Sequence, residues 1–193
     1  FVATQVAGLD LDTVLPQYAE GGPAERLVEC GDLYRPQGYS LPNVMTVVHL
    51  DLDDPVGGDV SGAGLMAEGW ELYATQERLY LTQDSRWWWG WNGGEPEYVT
   101  HIHRFGLAGA NTAYEGSGAV DGWLLDRFSM SEYDDHLRVA TTDVNGWWGD
   151  EQAEPANNVF VLEHTGTALD VVGEVRGIAP NEQIYAARFL GAK

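Results

Sequence analysis

"TQDSRWWWGWNGGEP", residues 82–96, and "TTDVNGWWGDEQAEP", residues 141–155, decide the fold. Set one under the other at an offset of 59 (141 minus 82), they share seven of fifteen positions. These are Thr82 with Thr141, Asp84 with Asp143, Trp88 with Trp147, Trp89 with Trp148, Gly90 with Gly149, Glu95 with Glu154, and Pro96 with Pro155. Paired tryptophans at matched positions mark an internal repeat, and a period of 50 to 60 residues is the size of a large propeller blade.

Working outward, the repeat extends on both sides. "RLYLTQD" and "HLRVATTD" precede the two loops, and "THIHRFGL" and "NNVFVLEH" follow them. "SGAVDGW" corresponds to "VGEVRGI", with an earlier copy in "GLMAEGW", so glycine-apolar junctions fall at Gly69-Trp70, Gly122-Trp123 and Gly177-Ile178. The runs between them are short, rich in Val, Ile, Thr, Tyr and Phe, and bounded by Gly, Asn, Asp and Pro, which is the pattern of strands. No segment keeps a helical period for three turns. One helical turn is expected in "SMSEYDD", where Ser129 and Glu132 fit a capping box.

The expectation is an all-β chain forming a partial β-propeller of four-stranded antiparallel blades. Residues 1–43 read as an irregular lead-in with room for one strand pair. Residues 44–69 read as the end of one blade, 70–121 and 122–177 as full blades, and 178–193 as the first strand of the next. Within the second blade the first strand is expected in "WLLDRFSM", residues 123–130. A propeller closes only with about four to eight blades. The expectation is therefore that further blades, in the same protein or in an assembly, complete this one.

"THIHRF", "SGAVDGWLLDRFSMSEYDDHLRVATTD", "NNVFVLE" and "VVGEVRGIAPNEQIYAARFLG" together resemble the secreted prokaryotic β-propeller-domain proteins that are distantly related to WD-40 repeats. The resemblance covers about residues 44–193. It implies a propeller fold and a secreted, cell-surface or periplasmic location, and it implies no particular activity.

Composition narrows the partners. Among 193 residues there are 30 Asp and Glu against 10 Lys and Arg, a formal net charge of -20. Such a field repels phosphate backbones and anionic lipid, so nucleic acid is not an expected partner. Lys193 is the only lysine, as in surfaces adapted to strong salt screening; the alternative is simply an acidic soluble protein. No apolar run is long enough to span a bilayer. Cys30 is the only cysteine, so no disulfide or cysteine-based metal site forms within the chain, and its acidic neighbours disfavour a reactive thiolate.

Candidate chemistry is sparse. His101 and His103, at i and i+2 of a strand, face one way and suit either a metal or a structural role; the matching "NNVFVL" has no histidine. Asp51, Asp53, Asp54 and Asp59 offer oxygen ligands of the kind calcium takes, without the spacing of a known calcium loop, and a solvated acidic turn is the alternative. No G-x-S-x-G elbow, H-E-x-x-H zinc motif or phosphate loop is present. The tryptophan loops remain: Trp87, Trp88, Trp89, Trp91, Trp147 and Trp148. Either they form one aromatic surface for a protein or glycan partner, or they pack on each other and close the blade tops. The expected function is an extracellular non-enzymatic binding or scaffold module. The alternative is a secreted hydrolase of polysaccharide or peptide with unidentified carboxylates.

Overall fold

The computed structural model describes residues 13, 15–19, 21–36, 43–50, 60–85, 98–107, 112–145 and 154–192. The chain divides into two compact units, residues 1–68 with 107–114, and residues 69–106 with 115–193. All regular structure among the described residues is strand, apart from the 3-10 turns Cys30–Asp32 and Arg127–Ser129 and the helical residue Thr13.

In the first unit β1 (Gln17–Tyr18) pairs antiparallel with β2 (Glu25–Arg26). A small second sheet has the order β3 (Leu33–Tyr34), β5 (Ser61–Leu65), β4 (Met45–His49), with β3 parallel and β4 antiparallel to β5. Val28, Ala63, Leu65 and Ala67 are its buried apolar residues. Tyr34 and Tyr114 pack with their rings 5.0 Å apart.

The second unit holds one eight-stranded sheet. Its strands are β6 (Leu72–Ala74), β7 (Arg78–Asp84), β8 (Val99–Gly106), β9 (Ala113–Asp121), β10 (Met130–Tyr133), β11 (His136–Asn145), β12 (Glu154–Thr165) and β13 (Ala168–Ile178). The order across the sheet is β10-β11-β12-β13-β9-β8-β7-β6. Each strand from β10 to β13 is antiparallel to the next, as are β6 to β7 and β7 to β8. The two halves join through a parallel contact of β9 with β13, at Ser117 and Ala168. The sheet is nearly closed and barrel-like, and its ladder does not by itself mark off separate four-stranded blades.

Alternation along the strands explains what fills it. Cross-strand partners share a face, so Tyr80, Thr82, Ile102 and Arg104 lie on one side of β7 and β8, and Leu79, Leu81, His103 and Phe105 on the other. In the other half Leu137, Val139, Phe160 and Leu162 share a face. One core unites Tyr80 and Ile102 with Leu137, Val139, Phe160 and Leu162, joined by Val120, Leu124, Met130 and Leu169. The sheet thus curls until its halves face each other. Both faces of β7 and β8 are buried, which accounts for their lack of exposed polar positions.

The registers also refine the repeat. Apolar residues match when Leu72, Leu79 and Leu81 are set against Met130, Leu137 and Val139, an offset of 58. Phe105 then falls on Leu162 and His103 on Phe160, an offset of 57. Thr82 and Asp84, in the same strand, match Thr141 and Asp143 at 59, so the offset changes by one residue within β7 and β11 before the tryptophan loops. A slip of one residue exchanges the two faces, so it is the apolar match of Leu79 and Leu81 with Leu137 and Val139 that pairs the core surfaces.

Around Ser129 the structure departs from the sequence reading. Residues Arg127–Ser129 form a 3-10 turn closed by Asp126, whose Oδ1 accepts from the Phe128 N–H at 2.8 Å. Of the strand expected over 123–130 only its two ends pair, Trp123 in a lone bridge to Thr142 and Met130 with Val139 as the first residue of β10. The supposed capping residue Glu132 lies in that strand, and its carboxylate takes distant partners. It receives a guanidinium N–H from Arg78 and the hydroxyl of Tyr80 at 3.0 Å, while its own N–H donates to the Tyr73 hydroxyl at 3.0 Å. Arg78 also donates to Asp135 at 2.8 Å. Burial, with the Glu132 charge beside it, raises the Tyr80 hydroxyl above its ordinary range, so this phenol stays a donor. A mostly buried ion pair is costly to break from one side, because the remaining charge is stranded. Glu132→Ala is expected to lower stability by about 2–3 kcal/mol, read as a drop in the urea midpoint, whereas Asp135→Asn, which suits the left-handed φ of 61 at this exposed site, changes it by less than about 1 kcal/mol.

Candidate functional site

Residues 86–97 connect β7 to β8 and residues 146–153 connect β11 to β12, so each tryptophan run joins the second strand of its half to the third. Trp87, Trp88, Trp89, Trp91, Trp147 and Trp148 lie outside the described residues, as do Asp51, Asp53, Asp54 and Asp59. The footings of both connections are described, and they meet. Tyr98, immediately after the first, and Val144, near the end of β11, are buried in one cluster with Trp123 between them. The Tyr98 and Trp123 rings are 5.2 Å apart and inclined at 59°, an arrangement that aromatic pairs favour.

Backbone ties fix the same footing. Gly122 N–H donates to Tyr98 O at 2.6 Å, and Trp123 exchanges hydrogen bonds with Thr142, N–H to O at 2.9 Å and back at 3.0 Å. Trp70, the matching junction residue in the first half, donates to Thr82 O at 2.8 Å. The third junction behaves alike: Gly177 N–H donates to Asn158 Oδ1 at 3.2 Å, and Asn181 N–H to Pro155 O at 2.7 Å. Each glycine-apolar junction thus lands at the foot of a tryptophan connection.

Beside the first footing is a hollow of about 210 Å3, bounded by Trp70, Glu71, Thr82, Asp84, Thr100, Leu124 and Leu125. It is smaller than a whole small-molecule site and suits one projecting group. Trp70 is half exposed there. Trp70 and Trp123 read in the sequence only as landmarks of the repeat, although Gly-Trp recurs at 69–70 and 122–123. Sequence reasoning does not single out Tyr98 at all.

His101 and His103 do lie on one face of β8, opposite Gln83 and Leu81. His103 is almost wholly buried. Burial, then the neighbouring His101, pulls its pKa down to about 4; burial also lowers His101, against the opposing pull of Asp84. Among the described residues no group of three or more His, Cys, Asp or Glu is placed to hold a metal ion. Cys30 is exposed and outside any disulfide.

A family model described as the beta propeller domain matches residues 3–193. The chain belongs to that family. An uncharacterized protein of Methanocaldococcus jannaschii is 43% identical over 77 residues, which are 40% of this chain and 11% of that protein. An uncharacterized protein of Archaeoglobus fulgidus is 44% identical over 92 residues, 48% of this chain and 12% of that protein. The chain therefore matches only a small part of the length of these relatives. No solved structure matches it. Among the described residues no helix is long and apolar enough to cross a membrane.

Proposed function

We propose that this β-propeller domain is a non-enzymatic binding or scaffold module acting outside the cell or at its surface, and that it presents its tryptophan loops to a protein or glycan. The observation that carries the reading is the shared footing. Tyr98, Trp123 and Val144 form one cluster, so both connections leave the sheet from adjoining points. Six tryptophans issuing from adjoining points would supply the broad, rigid, amphipathic contact area that binding hot spots use. The half-exposed Trp70 and its hollow lie at the same place. The extracellular location rests on the family resemblance.

The working unit of this reading is a four-stranded blade, β6 to β9 and β10 to β13. Its support is the face correspondence. The Tyr80 and Ile102 face of the first half packs on the Leu137 and Phe160 face of the second, and by the match of Leu79 and Leu81 with Leu137 and Val139 the latter corresponds to the opposite face of the first half, Leu79 and His103. Unlike faces meet, as repeated units arranged around an axis require.

Tryptophan emission tests the loops. The parent is expected to show a red-shifted component readily quenched by acrylamide, which Trp88→Ala/Trp89→Ala removes while circular dichroism stays unchanged. Protected, blue-shifted emission together with a large loss of stability in the variant would mean that the rings are internal packing, and the proposed surface would be withdrawn.

A further inference from the structure

Arginine is scarce here, and the chain has three acidic residues for every basic one. Arg26, Arg78, Arg104 and Arg176 accordingly each hold a carboxylate. Arg127 and Arg188 are different: among the described residues neither forms an ion pair with one. Both lie instead against the ring of Phe128, with guanidinium carbons 5.0 Å and 3.9 Å from its centroid. The nearby acids are engaged elsewhere, Asp126 in closing its own turn and Glu132 with Arg78 and Tyr80.

The two arginines and Phe128 line a cleft of about 420 Å3, between β6, β10 and the segment at residues 188–189. Leu72, Met130 and Phe189 supply its apolar wall. That volume is within the range of small-molecule sites. A guanidinium stacked on a ring has its face occupied and keeps its N–H groups in the plane; Arg188 Nη1 donates to Ala187 O at 2.5 Å, and the remaining in-plane N–H groups are the ones that grip a carboxylate.

We propose that this cleft binds an organic carboxylate, its acid group between Arg127 and Arg188 and its apolar part on Phe128, Leu72 and Met130. The charge of the whole molecule selects a single negative charge. At a net charge of -20 long-range repulsion grows with each charge on the ligand, so two arginines favour a monoanion with apolar surface over inorganic phosphate. The site is separate from the tryptophan loops and does not depend on their role.

Phenylacetate is the probe, with phenylacetamide as its neutral counterpart, inorganic phosphate as the bare anion, and the dipeptide Ala-Phe with its amide to separate a peptide C-terminus from a small free acid. Binding is followed by the arginine side-chain N–H resonances. Phenylacetate is expected to saturate the Arg127 and Arg188 signals, with phenylacetamide at least about tenfold weaker. Arg127→Gln and Arg188→Gln should each weaken binding about tenfold, while Arg176→Gln leaves it unchanged. Ala-Phe binding more tightly than phenylacetate would assign the site to chain termini, and the reverse to free acids. Equal binding of acid and amide, tighter binding of phosphate than of phenylacetate, or parental affinity in both arginine variants would overturn the proposal. Should an arginine variant fail to fold, Phe128→Leu decides, since it keeps both cations and removes their platform: unchanged affinity would overturn the site.

Discussion

Gly122→Ala is expected to destabilise the domain by about 3–5 kcal/mol, combining left-handed strain with overpacking. Gly122 sits at φ +87, and a methyl group there would meet the Thr142 carbonyl and the Thr141 hydroxyl. The backbone has no freedom to retreat. Its N–H is held by Tyr98 O at 2.6 Å, and its carbonyl accepts from Thr100 Oγ1 at 2.6 Å. Gly177, the corresponding junction, provides the internal control. It too has a positive φ, of +70, but a methyl group there meets nothing within 4 Å. Gly177→Ala should therefore cost only the backbone strain, about 1–2 kcal/mol. Urea unfolding of the two variants measures the difference. Equal losses would show that the close packing around Gly122 contributes nothing, and that conformation alone sets the requirement at both junctions.

Acid is expected to weaken the domain through His103. The imidazole is buried and neutral in the folded chain, with its pKa near 4, while an unfolded histidine titrates near 6.5. Above pH 6.5 neither state binds the proton and the residue has no effect on the balance. As the pH falls from 6.5 to about 4 the unfolded chain takes up a proton that the folded chain refuses, so stability declines across that window and the loss levels off below it. At about 1.4 kcal/mol per pKa unit, the full loss is about 3 kcal/mol. His101 acts in the same direction. The corresponding position in the other half of the sheet is Phe160, so His103→Phe is the natural comparison. Its unfolding midpoint should change less between pH 7 and pH 4.5 than that of the parent, and parallel pH profiles would remove His103 from the account.

The all-β class and the repeat were legible because both leave local marks. β-branched and aromatic runs punctuated by glycine announce strands, and a doubled Trp-Trp-Gly announces a repeated connection. What escaped is information carried across distance. Glu132 looks like a helix cap in its own neighbourhood, but Arg78 and Tyr80, far back in the chain, draw its carboxylate into a strand. The one-residue change of offset within β7 and β11 was hidden because matching tryptophans outweigh matching leucines in a linear comparison. At the footing of the loops, Tyr98 and Trp123 belong to separate repeats, and nothing in either segment signals that their rings meet. Arg127 and Arg188 were unreadable for the same reason: a shared Phe128 exists only once the chain has folded. Trp88 and Trp147, which the sequence picks out most clearly, lie outside the described residues, so the loop surface rests on its footing.

The contact between β9 and β13 has a consequence for lineage. The two halves of the sheet share one parallel pairing, Ser117 with Ala168, whereas β11 and β12 are laced along their full length. What fastens one half to the other is the meeting of Tyr80 and Ile102 with Phe160 and Leu162, a join between side chains. Such a join can be copied by duplicating a stretch of gene, because each new copy brings both of its surfaces ready-made and little backbone pairing, of the kind seen at Ser117 and Ala168, must be remade to admit it. Descendants of one ancestral segment can then differ in how many copies they carry while every copy keeps the same interior.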